Sequence, residues 1–386
     1  MERNVTLDFV RGVAILGILL LNISAFGLPK AAYLNPAWYG EVTQRDAWTW
    51  AFLDLFAQVK FLSLFAILFG AGLQMLLPRG KRWIQSRLTL LVLLGFIHAL
   101  FFWDGDILLA YGLVGLIAWR MIRDAQSVKS LFNTGIVLYL IGIAVLLLLG
   151  GISGGQANRA WLPDAANLQY EAWWKTSGSA IEAVSNRADM LSNMLLALGA
   201  QYGWQLAGLM LLGAALMRSG WLKGQFSLRH YRQVGALLIV LGMLINLPAI
   251  IAQWQLGWSY RWCAFILQAP RELGAPLQAL GYAALAWGFW PQICASRLVS
   301  AIACVGRMAL SNYLLQTLIC TTLFNHLGLF MKFDRLQLLA FVPAVWGINI
   351  LFSLFWLKRF RQGPLEWLWR QLTARAAGTS LSRTSR

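Results

Sequence analysis

The sequence predicts an all-α protein: a polytopic bundle of about ten transmembrane helices, followed by an amphipathic helix at the C-terminus. Three observations predict it. Of 386 residues, 59% are hydrophobic and only 12% charged, against about 25% charged in soluble domains. Apolar runs of about 20 residues, long enough to cross roughly 30 Å of hydrocarbon as a helix, recur from one end to the other. The basic residues, which bring the net charge to +17, fall in short clusters between those runs. That pattern encodes orientation in a membrane and argues against a nucleic-acid partner.

The first run, LDFVRGVAILGILLLNISAF at 7–26, is too long and too hydrophobic for a cleaved signal, and no A-x-A-like site follows it, so it reads as the first span. Further spans are expected near 50–77, 84–103, 107–122, 131–150, 193–217, 233–252, 273–291, 308–328 and 336–357. With the N-terminus in the cytoplasm, most of the 32 Lys and Arg fall on the cytoplasmic side, and the C-terminus lies there too. The chain then divides into a bundle over 1–362, with an outer loop or cap at 151–192, and a cytoplasmic tail over 363–386. In that tail QGPLEWLWRQLTARAAG places Leu365, Leu368, Trp369 and Leu372 on one helical face, which fits a helix lying on the cytoplasmic leaflet. The closing TSLSRTSR reads as disordered. Four cysteines without CxxC spacing (Cys263, Cys294, Cys304, Cys320) read as packing residues, and no metal site is expected.

Polar residues inside the spans carry the functional signal, because an ionisable group at the bilayer centre costs on the order of 2.5–3.5 kcal/mol on insertion scales. Arg11 and Asn22 are eleven residues apart, which brings them to within about 20° of each other on one helical face; Asp8 is placed to neutralise Arg11. A structural reading makes Asp8 and Arg11 an interfacial anchor and Asn22 a bond to a neighbouring helix. His98 precedes a tight turn carrying Asp104 and Asp106, either of which could orient its imidazole. Lys60 lies too deep to snorkel easily and, on a regular helix, faces away from Asp54, so its expected partner is Asp104 or Asp106. Asn312 and Gln316 read as polar glue between helices. Asn22, Lys60, His98, Asp104 and Asp106 all fall between mid-bilayer and the outer surface, which predicts a polar cavity there.

Several stretches are familiar as motifs: R-x-x-x-L-D-x-x-R-G-x-A from Arg3 to Ala14, KFLSLFAILFGAG from Lys60, HALFFWDGDIL from His98, GRMALSNYLLQT from Gly306 and GPLEWLWR from Gly363. Together they resemble the YeiB family of bacterial inner-membrane proteins over nearly the whole chain. The resemblance implies the bacterial inner membrane, with the 151–192 loop periplasmic.

The N-terminal motif is also similar to that of transmembrane acyltransferases, including acyltransferase-3 proteins and the lysosomal heparan glucosaminide acetyltransferase. That similarity implies a bundle that takes an acyl group from a cytoplasmic donor, often acyl-CoA, and delivers it to a sugar or lipid acceptor. Arg11 matches an arginine of the acyltransferase-3 motif, while Asn22 stands where that motif has histidine. An enzyme of this kind would use Arg11 for the donor, His98 as the base, Asp104 or Asp106 to orient it, and Asn22 with Lys60 for the oxyanion. A transporter of small molecules or lipids would use the same polar cavity, although no internal repeat stands out. A homodimer is left open.

Overall fold

The computed structural model describes residues 4–379; Arg3 and all but the first residue of TSLSRTSR lie outside them. The described residues fold into helices joined by short connections. These are α1 (Val5–Gly27), α2 (Gln44–Phe56), α3 (Lys60–Leu76), α4 (Lys81–Phe101), α5 (Leu108–Asp124), α6 (Val128–Ile152), α7 (Ala165–Thr176), α8 (Ala180–Ala197) and α9 (Gly203–Arg218). The second half adds α10 (Leu228–Gln255), α11 (Gln268–Gly288), α12 (Trp290–Ile293), α13 (Arg297–Arg307), α14 (Ala309–Thr321), α15 (Arg335–Leu339), α16 (Val342–Arg359) and α17 (Pro364–Ala377). Starts are set by side-chain caps: Asn4 accepts from Leu7 N at 3.1 Å, and Asp164 from Asn167 N at 2.8 Å. Asp334 forms a capping box with Gln337. Each such cap satisfies a backbone donor that the first helical turn leaves unpaired.

Among the described residues, seven helical stretches are long and apolar enough to cross a membrane, and α13 with α14, bent by 89° at Met308, makes an eighth. The expected spans at 107–122 and 273–291 are helical but fall short of that standard. α5 has only 17 residues, about 25 Å of helix, and α11 is diluted by Gln268, Arg271, Glu272 and Gln278. Both are largely buried, which is where a short or polar helix avoids lipid. Apolar side chains cover the outside instead, with Leu148, Leu237, Leu244 and Phe355 between 62% and 68% exposed.

The helices pair chiefly as α10 with α11, α6 with α9, α3 with α9, α1 with α13, and α4 with α5. Glycines permit the closest crossing. A methyl group at Gly213 would stand 1.8 Å from the Ile67 carbonyl oxygen, and one at Gly70 1.9 Å from that of Met210, so α3 and α9 meet backbone to backbone.

The 151–192 loop is a folded cap. α7 holds it down through Glu171, which accepts from Lys30 N and pairs with Lys175, each at 3.0 Å, while Trp161 Nε1 donates to the Trp258 carbonyl at 2.9 Å. The expected span at 193–217 begins earlier, because Ser179 caps α8 and the helical stretch runs from Ala180 to Arg218.

The apolar stripe of the tail helix is divided: Leu365 and Trp369 pack against the core while Leu368 and Leu372 stay exposed, and α17 docks on α4 and α14. Two contacts fix it: Glu366 accepts from Ser311 N at 3.0 Å, and the Arg87 guanidinium sits 3.5 Å over the Trp369 ring.

Candidate functional site

The turn between α4 and α5 builds the first cluster. His98, near the end of α4, places Nδ1 2.7 Å from Asp106 Oδ1 and Nε2 3.1 Å from the Thr317 hydroxyl on α14. Asp106 uses its other oxygen to accept from Leu109 N at 2.8 Å, which caps α5 and fixes the carboxylate. A carboxylate on Nδ1 holds that proton and leaves Nε2 facing a hydroxyl, the geometry in which an imidazole can take a proton from an alcohol. Of the two expected partners, Asp106 is the one His98 uses. Asp104 is half-buried and acts on the cap: burial works against the Lys175 ammonium, but Asp104 and Glu171 outweigh it and raise its pKa above the ordinary lysine value.

Beside this cluster opens a cavity of about 310 Å³. Arg11, Arg87, Arg307 and Glu366 line it together with the apolar Phe65, Leu68, Leu73 and Leu88 and the phenols Tyr111 and Tyr313. Arg11 also pairs with Asp8 at 3.2 Å, as expected. The N-terminal helix and α17 both reach this cavity, through Arg11 and through Glu366 and Trp369. His98 does not line the cavity; its imidazole lies beside Tyr313, which does, with ring centres 5.5 Å apart, and the Tyr313 hydroxyl accepts from Ile107 N at 3.2 Å. Asn22 is buried but does not line this cavity. The single stripe expected of Arg11 and Asn22 therefore does not run along it.

A second polar cluster lies toward the other end of α3. Arg271 pairs with Asp54 at 3.1 Å and approaches Glu272 at 3.7 Å; Asn246 donates to Asp54 at 2.9 Å. Lys60 is wholly buried and donates to the Asp54 carbonyl. That corrects its expected pairing with Asp104 or Asp106. The regular helix assumed in placing Lys60 is broken: Val59 adopts φ 67° between α2 and α3, a strained conformation for a β-branched residue, and the break folds Lys60 back toward α2. Next to this cluster is a cavity of about 230 Å³ that includes Tyr33, Gln58, Ser63, Gln268, Arg271 and Glu272 in its wall. Tyr111 lies between the two cavities, lining the first and donating at 3.1 Å to the carbonyl of Leu62, which lines the second.

The polar pair on α14 is glue, as expected. Asn312 donates to Ser353 at 2.8 Å and Gln316 to Asn349 at 3.2 Å. Sequence reasoning missed Thr317, one turn beyond Tyr313 in the GRMALSNYLLQT stretch, and Arg271, which falls just before the expected span at 273–291. A signal was present: an Arg-Glu pair within an apolar run, QAPRELGAPLQALGYAAL, needs partners inside the protein.

Residues 216–376 match a family described as a protein of unknown function (DUF418). The chain is 77% identical over 386 residues to the uncharacterized protein YeiB of Escherichia coli (strain K12), covering all of both chains. It is 31% identical to the uncharacterized protein YxaH of Bacillus subtilis (strain 168), covering 96% of this chain and 94% of that one. No solved structure matches it. A full-length match at that identity, on a helical bundle with the motifs in place, makes the chain a member of the YeiB family.

Proposed function

We propose that the protein is an inner-membrane acyltransferase, with both termini cytoplasmic, that takes an acyl group from a thioester donor such as acyl-CoA and passes it to a hydroxyl of a periplasmic or lipid-linked acceptor. The observation that carries this reading is a cavity of about 310 Å³ whose wall combines three arginines, apolar side chains and Tyr313, with the His98 ring centre 5.5 Å from that of Tyr313. Three guanidinium groups suit a polyanionic head, and the apolar side chains suit an acyl chain. The volume is at the lower end of small-molecule sites, so the acyl and thioester end fits inside and the head stays with Arg11, Arg87 and Arg307.

In the transfer, the acceptor oxygen bonds to the thioester carbonyl carbon and the carbon–sulfur bond breaks. His98 takes the hydroxyl proton on Nε2 and returns it to the departing thiolate, while Asp106 stabilises the imidazolium between the two steps. Tyr313 separates the imidazole from the cavity, so its ring must swing aside for the reacting atoms to meet.

The test is retention of radiolabelled palmitoyl-CoA and acetyl-CoA by the purified full-length protein. Saturable binding that falls at least tenfold in Arg11→Gln combined with Arg87→Gln is expected. Binding unchanged by those substitutions would overturn the donor site. Donor carried intact into proteoliposomes, without thioester cleavage, would favour transport instead.

A further inference from the structure

On its outer side the bundle carries a groove that takes no part in the proposed transfer. α1 and α3 lie in stretches long and apolar enough to cross a membrane, and α1 and α11 each pack along α3 while scarcely meeting each other. Between them opens a groove of about 290 Å³, lined chiefly by Phe9, Val10 and Val13 of α1, Leu64 of α3, and Leu285 and Ala286 of α11. Val10 and Leu64 are buried and the other four half-buried, so the groove has a floor and opens outward. Among the described residues its wall has one hydroxyl, that of Tyr282, which donates to the Phe56 carbonyl at 2.9 Å. Water needs two to four polar partners to stay in such a place; a hydrocarbon chain needs none.

The two ends of the groove differ. Toward one, the Tyr282 ring stacks on Phe61 with centres 5.9 Å apart. Toward the other, Phe289 follows on the same stripe of α11, one turn beyond Leu285 and Ala286. The Arg232 guanidinium sits 4.7 Å over the Phe289 ring, and its Nε donates to the Gly288 carbonyl at 2.7 Å. On the facing wall Phe9 has its ring 5.9 Å from that of Trp290, so both walls end close to this cation. No carboxylate pairs with Arg232 among the described residues. Residues 218–235 and 289–308 carry Arg218, Lys223, Arg229, Arg232, Arg297 and Arg307 without a single acid.

A cation without a counter-ion, at the end of an apolar groove beside membrane-crossing helices, matches the two halves of a phospholipid: basic sites at that depth hold anionic head groups. We infer that the groove binds one acyl chain of an anionic phospholipid whose phosphate pairs with Arg232. The inference does not rest on acyl transfer; loss of thioester binding at the other arginines would leave it standing.

The experiment is native mass spectrometry of the purified, delipidated full-length protein titrated with dioleoyl phosphatidylglycerol or, as a zwitterionic comparison, dioleoyl phosphatidylcholine. The first phosphatidylglycerol should bind at least about tenfold more tightly than the first phosphatidylcholine, and Arg232→Gln should cut that preference to about threefold or less. Ala286→Trp and Val13→Phe fill the groove from its half-buried rims and should each weaken binding of the first phosphatidylglycerol at least about tenfold. Equal affinity for the two lipids in the parent, a preference unchanged in folded Arg232→Gln protein, or first-lipid binding unchanged in whichever groove variant folds would overturn the inference. So would a dimer whose formation excludes the lipid, since a second copy would then cover the groove.

Discussion

His98 Nδ1 and Asp106 Oδ1 lie 2.7 Å apart with both side chains almost entirely shut off from solvent. The pair has a structural consequence whatever its chemistry, because Asp106 also accepts from Leu109 N at the start of α5. Replacing Asp106 with Ala leaves a buried imidazole nitrogen and a helix-end amide unpaired. The expected cost is about 1–3 kcal/mol for each buried group stranded, read as a lower thermal midpoint in detergent. Asp106→Asn should lose less, since the amide oxygen can still accept a hydrogen bond. Equal loss for both variants would show that the carboxylate shape contributes nothing.

The Asp54–Arg271 pair should behave as a unit. Asp54→Asn removes the nearer of the two carboxylates beside the buried Arg271 guanidinium, leaving Glu272 at 3.7 Å, and is expected to destabilise by about 1–3 kcal/mol. Adding Arg271→Gln should restore part of that loss, so the two changes together cost less than their sum. Additive effects in a double-mutant cycle would contradict the coupling.

Crossing geometry gives a third test. A Cβ at Gly213 meets the Ile67 carbonyl oxygen at 1.8 Å, whereas one at Gly347 meets nothing within 4 Å. Gly213→Ala should therefore force α3 and α9 apart and lower folded yield, while Gly347→Ala should be neutral or slightly stabilising. Thermal unfolding of the two purified variants decides it.

The cap should respond to strong base. The Lys175 pKa is raised in the folded protein by Asp104 and Glu171 against the cost of burial. A raised value means that the stabilisation is fully present below the unfolded lysine value, 10.5, and is lost as pH rises through the higher folded value. Lys175→Gln should loosen the cap already at neutral pH, seen as faster protease cleavage within 151–192. Equal cleavage rates in the two proteins at neutral pH would rule out the anchoring role.

Much of this molecule was legible because bilayer physics is severe. Apolar runs located the helices, and the DGD turn placed a carboxylate on His98. What sequence could not give were contacts created by broken helices and by pairing across the bundle. Lys60 was misassigned because a kink at Val59 cannot be read from hydropathy, and the break returns the side chain to Asp54. The docking of α17 on the bundle depends on Glu366 meeting Ser311 and Trp369 meeting Arg87, partners 55 and 282 residues away. Asn22 and Arg11 share a face by helical arithmetic, but the cavity at Arg11 opens toward α3, α4 and α14, away from Asn22's position along α1.

Thioester turnover probes the proposed transfer, in which His98 deprotonates an acceptor hydroxyl beside the arginine-lined cavity. Membranes containing the protein should release free thiol from acyl-CoA and carry the labelled acyl group into a membrane or periplasmic product. His98→Gln should reduce that turnover by at least about a hundredfold, the lower range for a lost general base, while donor binding by the folded variant changes little. Turnover unaffected in folded His98→Gln protein, or no turnover in the parent despite saturable donor binding, would rule out acyl transfer through His98.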